Sequence, residues 1–348
     1  MKDFKKHIIS SKASIIEAME RLNQLPENLT LFVCDSNGQM VGTLTDGDVR
    51  RGFTTGLSLE EPVSSFQKSN FTFVEDGIIN TKIIKEYREK GLHLIPVLNQ
   101  KMQIVRVYDL KKKRNILPLE CMIMAGGRGE RLRPLTDKKP KPLLLVGKKP
   151  IIEHNLDRLI SFGIEKFYIS IKYLGDQIKD YLGDGSSKGV EIEYIEEDEP
   201  LGTAGALTKV KKFNSEYILL MNSDLFTDID FEDLYFATCE NKADMGIASI
   251  PYTINIPYAI FDRIDENIIS LKEKPDYTYY ANAGIYILKK ELIRFIPKEQ
   301  FYNITDLIEF LLSQKYKIIH NPLIGYWVDI GKHEDYNKVQ ELAKHIYH

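Results

Sequence analysis

The residues best suited to chemistry stand in one short run, Met124-Ala125-Gly126-Gly127-Arg128-Gly129-Glu130-Arg131-Leu132-Arg133-Pro134-Leu135-Thr136, directly after the apolar stretch Cys121-Met122-Ile123. Glycines let backbone come close to a ligand and turn N–H groups toward it. Arg128, Arg131 and Arg133 bring fixed positive forks to the same place. A strand, a glycine turn and three arginines suit a polyphosphate. The spacing fits neither GxGxxG nor GxxxxGK[ST]. Lys141 follows between Pro140 and Pro142, and prolines on both sides restrict the backbone around it. A pinned lysine suits a reacting phosphate, where position matters; it also suits a plain rigid turn.

Five further motifs offer polar or small groups. Glu199-Pro200-Leu201-Gly202-Thr203-Ala204-Gly205 reads either as a surface for a flat base or as a tight turn opening a helix. Asn222-Ser223-Asp224 ends an apolar run, and a carboxylate there suits Mg²⁺ in a strand-end crevice or a helix cap. Trp327-Val328-Asp329-Ile330-Gly331 supplies a second metal-type carboxylate. Glu273-Lys274-Pro275 and Asn282-Ala283-Gly284-Ile285-Tyr286 offer partners for sugar hydroxyls.

These groups need a frame. Apolar runs predict strands at 121–125, 167–171, 190–195, 217–221, 245–250 and 284–288, and amphipathic spacing predicts helices at 151–162, 174–182 and 304–314. The alternation implies an α/β domain with a mainly parallel sheet. Before it, Leu29 to Arg50 resembles Gly91 to Lys112 in its strand–turn–strand pattern, with Val41 and Ile104 as counterparts. Helical patterns at Ile15, Ile16, Met19 and Leu22, and at Ile83, Ile84 and Tyr87, precede the two copies. Two αβ units of this kind bury their sheets together. The basic run and proline at 111–118 read as a connector. The expected organisation is a smaller α+β domain over 1–112, a linker at 113–119 and a catalytic α/β domain over 120–348.

Composition bounds the rest. The 348 residues carry 47 Lys and Arg against 50 Asp and Glu, a net charge of −3, without the basic excess of a nucleic-acid binder. Three scattered cysteines form no CxxC pair, which argues against a disulfide framework or a cysteine zinc site. No run approaches the ~18 apolar residues of a membrane span, and no apolar leader stands out. The expectation is a cytosolic protein with no membrane or nucleic-acid partner.

Taken in order, AGGRGERLRPLTDKKPKPLL, LGTAGAL, NSD, EKP, NAGIYI and WVDIG resemble the sugar-1-phosphate nucleotidyltransferases over residues 121 to about 340. The resemblance implies a Rossmann-like nucleotidyltransferase fold and transfer of a nucleotidyl group from an NTP to a sugar 1-phosphate, with Mg²⁺ as cofactor. It implies that Ala125, Gly126, Gly127, Arg128 and Gly129 wrap the nucleotide phosphates, with Gly202, Thr203 and Glu197 at the base and ribose. Arg131 would stabilise charge during transfer, Lys141 would contact the sugar phosphate, and Asp224 and Asp329 would bind the metal. Ala259, Glu273, Lys274, Asn282 and Gly284 would line the sugar pocket. Two positions depart from the family pattern: Tyr258-Ala259-Ile260 replaces Tyr-Gly-Val, and Lys332 follows Gly331 where Thr is common.

EPLGTAGAL most resembles the guanylyltransferase branch, and the run Glu196-Glu197-Asp198-Glu199 offers carboxylates to the N1–H and N2–H₂ donors of guanine, so GTP is the expected nucleotide. Val41-Gly42-Thr43-Leu44-Thr45-Asp46-Gly47-Asp48 resembles the strand-to-helix signature of CBS domains, which implies an adenosine-nucleotide effector at Thr45 and Asp48 or a module for homodimers or higher homo-oligomers. A CBS pair ahead of such a domain resembles the glucosamine-1-phosphate guanylyltransferases of legionaminic acid biosynthesis. Mannose-1-phosphate and heptose-1-phosphate guanylyltransfer, uridylyl or thymidylyl transfer, and a non-catalytic NDP-sugar sensor are the competing readings.

Overall fold

In the computed structural model, which describes residues 4–77 and 80–346, the chain forms two units. One runs to Leu117 and includes Ser161–Gly163; the other comprises Pro118–Ile160 and the chain from Ile164 onward.

The first unit holds two three-stranded sheets. In one, Ile8–Ser10 pairs in parallel with Thr30–Cys34, which pairs antiparallel with Met40–Thr45. In the other, Val74–Glu75, Leu94–Leu98 and Ile104–Asp109 repeat that arrangement. Both middle pairings slip register at the same place, after Val33 and after Val97. The counterpart of Ile104 is therefore Met40, not Val41, since Met40 pairs with Cys34 where Ile104 pairs with Leu98. Helix Ile15–Gln24 starts where the Ser14 side chain accepts from Glu17 N–H at 3.2 Å. Phe32, Met40, Leu94, Leu98 and Val107 form a core shared by the two copies.

The second unit is built on a seven-stranded sheet. We label its strands β1 (Leu119–Met124), β2 (Lys166–Ile171), β3 (Glu191–Glu196), β4 (Tyr217–Asn222), β5 (Met245–Asn255), β6 (Asp276–Lys289) and β7 (Ile318–Pro322). The order across the sheet is β3-β2-β1-β4-β6-β5-β7, and only β6 runs antiparallel to its neighbours. This is the mainly parallel mixed sheet that the apolar runs imply, with helices Ile151–Ser161, Gly175–Leu182 and Ile304–Ser313 within a residue of their predicted spans. β5 and β6 run well past their predicted ends, since beyond Ile250 and before Asn282 they pair with each other in the open. Apolar continuity marks only the buried part of such strands.

Register brings the strand ends into line. Asn222 sits opposite Met124, Met124 opposite Ser170, and Ile171 opposite Glu196. The glycine run, the Glu197 loop and Ser223-Asp224 therefore leave the sheet along one edge, at the carboxyl ends of the parallel strands, where ligands bind in such sheets.

Two cores hold this edge. Met122, Leu207, Ile218, Leu220, Leu288, Leu307 and Leu311 pack beneath one face of the sheet. A second cluster joins Leu132, Leu144, Ile151, Phe226, Val328, Ile330 and Val339. That cluster ties together the segment after the glycines, the segment after Lys141 and the residues flanking Asp329. Full burial of one such side chain contributes about 1.5–3 kcal/mol, so the charged groups above it are carried on apolar anchors.

Candidate active site

The glycine run begins as β1 ends. Ala125 N–H donates to the Ser170 carbonyl at 2.9 Å. A Cβ on Gly126 would meet Glu197 at 3.2 Å, while Gly127 faces open space. Gly129 has φ +63°, and a Cβ there would press on Lys141 at 3.0 Å and Thr136 at 3.1 Å. Buried Thr136 donates from Oγ1 to the Gly129 carbonyl at 2.9 Å. The loop is thereby laid directly on the stem of Lys141. Arg128 stacks over the Tyr173 ring at 5.2 Å, and Arg131 lies against Gly331, where a Cβ would come within 3.2 Å of its guanidinium.

Lys141 opens a short 3-10 turn, Lys141–Leu143, between the two prolines. Its side chain is 12% exposed, and its ammonium pairs with Asp224 and lies 3.7 Å from Asp329 Oδ1. A ribbon of two three-residue strands, Leu225–Thr227 against Trp327–Asp329, sets the carboxylates side by side by pairing Leu225 with Asp329. Ile330 N–H donates to the Asp224 carbonyl at 3.0 Å. Asn155, 3% exposed, donates from Nδ2 to the Ser223 carbonyl at 3.1 Å and fixes the turn from below. On a helix, Asn155 reads as one more polar residue, and the ribbon strands are too short and too distant in the chain to be seen in an apolar pattern.

Burial, and next the Asp224 charge, raise the Asp329 carboxyl above its ordinary value, with Lys141 and Arg131 pulling the other way. Asp329 Oδ1 is buried and accepts no hydrogen bond. An orphaned carboxylate oxygen beside a second carboxylate is a hard oxygen donor set that fits Mg²⁺. Among the described residues no group of three or more His, Cys, Asp or Glu side chains gathers for a metal, and this site offers two carboxylates.

Around this centre the other expected residues divide. Glu197 is 9% exposed and clamps the loop, accepting from the Ser170 hydroxyl and from Leu201 N–H at 2.8 Å. Its neighbours pair with lysines: Glu196 with Lys179, Asp198 with Lys209 at 3.3 Å, and Glu199 with Lys172 at 3.9 Å. Gly202 has φ +71°, and a Cβ there would meet the Tyr302 carbonyl at 2.7 Å. Chain packing alone thus requires that glycine. Thr203 Oγ1 accepts from Ile304 N–H at 2.9 Å. Gly284, at φ +72°, packs on Asn222, and its N–H donates to Asn282 Oδ1 at 3.0 Å. Ala259 is half-buried after β5, whereas Glu273 and Lys274 are exposed in the turn before β6. Among the described residues no hydrogen bond or ion pair joins those two to Lys141, Asp224 or the glycine run.

In the first unit, Thr45 and Asp48 form a capping box at helix Asp46–Thr54. Thr45 N–H donates to Asp48 Oδ2 at 2.8 Å and Asp48 N–H to Thr45 Oγ1 at 3.3 Å, while Arg51 holds the other Asp48 oxygen at 2.5 Å. Both side chains serve the helix start.

The profile of the nucleotidyl transferase family matches residues 120–345. The D-glycero-alpha-D-manno-heptose 1-phosphate guanylyltransferase of Aneurinibacillus thermoaerophilus is 31% identical over 232 residues, covering 65% of this chain and 99% of that protein. The bifunctional protein GlmU of Methanocaldococcus jannaschii is 29% identical over 221 residues, 62% of this chain and 52% of that protein. The chain thus spans about half the length of that archaeal relative. Among solved structures, HddC from Yersinia pseudotuberculosis superposes with a TM-score of 0.51 at 27% identity, covering 64% of this chain and 99% of that one.

Proposed function

Because the chain belongs to the nucleotidyl transferase family, we propose that it transfers a nucleotidyl group from an NTP to a sugar 1-phosphate, giving an NDP-sugar and pyrophosphate. The observation that carries this reading is Lys141, pinned by prolines and set beside Asp224 and Asp329 at the strand ends, directly under the glycine run.

The chemistry follows from charge. An oxygen of the sugar phosphate attacks the α-phosphorus in line, the bond to the bridging oxygen breaks, and pyrophosphate leaves. The nucleophile is already ionised, so no strong base is needed. The difficulty is bringing two anions together. The N–H groups of Gly126 to Gly129 hold the nucleotide phosphates, with open space over Gly127 to receive them. Lys141 neutralises the sugar phosphate and the transferred group, and Arg131 stabilises the departing pyrophosphate. Asp224 and Asp329 would hold Mg²⁺, which would supply charge neutralisation for the reacting anions. Asn282 and Gly284, with Ala259, Glu273 and Lys274 from the open strands and turns, face the sugar.

We assign GTP and glucosamine 1-phosphate as the substrates and GDP-glucosamine as the product. The guanylyltransferase named among the relatives supports the base; the lysine-paired acidic run lends it no support of its own. We assign the first unit as a CBS pair that joins copies of the chain or takes a nucleotide effector, its repeated three-stranded sheets being the supporting feature. The test of the metal and site assignment is Asp224→Asn. Pyrophosphate release should fall below detection while GTP still binds; turnover that survives the change overturns the assignment.

A further inference from the structure

Besides the strand-end site, the second unit carries a hollow at the opposite edge of the sheet. The chain entering β4 and the turn leaving β6 meet there, since Tyr217 pairs with Lys289, and they line an open hollow of about 290 Å³. The six residues of β4 separate it from Asp224 by roughly 20 Å at ~3.3 Å per residue.

Its floor is apolar, with Val210, Phe213 and Ile296. Its wall carries five cations, Lys211, Lys212, Lys290, Arg294 and Lys298, and no carboxylate. Among the described residues none of the five joins an ion pair, whereas the flanking Lys209 and Lys289 do, with Asp198 at 3.3 Å and Asp244 at 2.9 Å. Glu120, which reaches this loop, is 5% exposed and is committed to the N–H groups of Asn214 and Ser215. Five like charges around a concave apolar surface focus a positive potential into it. Guanidinium and ammonium together match phosphate oxygens, and the apolar floor asks for a hydrocarbon or ring face. The volume lies at the small end of ligand sites, the size of one ring-sized body.

We propose that this hollow binds a small organic phosphate through its five cations and apolar floor, and that the occupant restrains the segment at Gly202. Leu207 and Thr208 line the hollow and continue the short helix Gly202–Gly205, whose Ala204 and Gly205 N–H groups donate to the Tyr302 carbonyl at 3.0 and 3.2 Å. The effect on catalysis rests on the proposed nucleotide role of Gly202; the binding does not.

The experiment is calorimetric titration of the full chain with 1-naphthyl phosphate and with inorganic phosphate. The naphthyl ester should bind at least tenfold more tightly than phosphate. Its affinity should fall at least tenfold in Lys211→Gln/Arg294→Gln, with circular dichroism unchanged, and stay within twofold in Arg131→Ala. Equal affinity for inorganic phosphate, indifference to the double change, loss only in Arg131→Ala, or no binding each overturns the proposal. Hydrogen exchange at the Ala204 and Gly205 amides should slow when the ester is bound, and unchanged exchange overturns the coupling. None of these readouts requires turnover, so their failure is distinct from failure of the proposed reaction.

Discussion

Replacing Lys141 by Met keeps the stem that the glycine loop rests on and removes the charge between two carboxylates. In the structure its ammonium pairs with Asp224 and stands 3.7 Å from Asp329 Oδ1. At that distance a unit pair is worth about 1 kcal/mol in bulk water and about 4 kcal/mol at an effective dielectric of 20. The Asp329 side chain is 44% exposed, so the lower part of that range applies. We expect Lys141→Met to cost about 1–2 kcal/mol, or about 2–8 °C in Tm for a unit of this size. Turnover should fall about 10²–10³-fold, the usual loss for one electrostatic contact to a reacting group. Adding Asp224→Asn removes the repulsion left behind and should recover about half of the lost Tm while turnover stays at its floor. Thermal melts and pyrophosphate release on the two variants give the answer. If Asp224→Asn lowers the Tm of the Lys141 variant further, or if Lys141→Met keeps turnover within threefold of the parent, the electrostatic reasoning is wrong.

Three other outcomes follow from the geometry. Asn155→Leu leaves the Ser223 carbonyl without its buried donor; melts should show a loss of about 1–3 kcal/mol, and kinetics should show kcat falling more than KM rises. Glu197→Gln weakens the clamp on Ser170 and Leu201 and should lower stability by about 1–2 kcal/mol with the GTP-to-UTP preference changed less than threefold; a larger switch returns Glu197 to the base. Burial pushes the carboxyls of Glu153 and Asp157 up, but Lys188 and the other donors bonded to them outweigh it and hold both low. A lowered folded value adds stability above the unfolded value that is lost as pH falls through the folded one. Lys188→Met should therefore lower Tm at pH 7 by about 2–4 °C, a gap that closes below about pH 4, and pH-resolved melts measure it.

Much of the second unit was readable because buried strands are continuous apolar runs. β1, β2, β3 and β4 lie within two residues of where those runs put them, and the motifs leave their ends. What escaped is what burial does not mark. The outer parts of β5 and β6 alternate exposed side chains, and the ribbon setting Asp224 beside Asp329 is three residues long on each side. The acidic run carries no structural signature in sequence, and only the fold reveals that lysines and backbone N–H groups take up all four acids. Thr45 and Asp48 show a related ambiguity, since a Thr-x-x-Asp pattern serves a helix start and a ligand with the same atoms.

The most direct test is a matrix of pyrophosphate release in Mg²⁺, with GTP, UTP, dTTP, ATP and CTP against glucosamine 1-phosphate, mannose 1-phosphate, heptose 1-phosphate, glucose 1-phosphate and N-acetylglucosamine 1-phosphate. The account predicts release that needs both substrates, is greatest with GTP and glucosamine 1-phosphate, and vanishes in Asp224→Asn. Release by another pair would keep the reaction and discard the substrate assignment. Absence of release from every pair, by a chain shown to bind GTP, would contradict the nucleotidyl transfer itself.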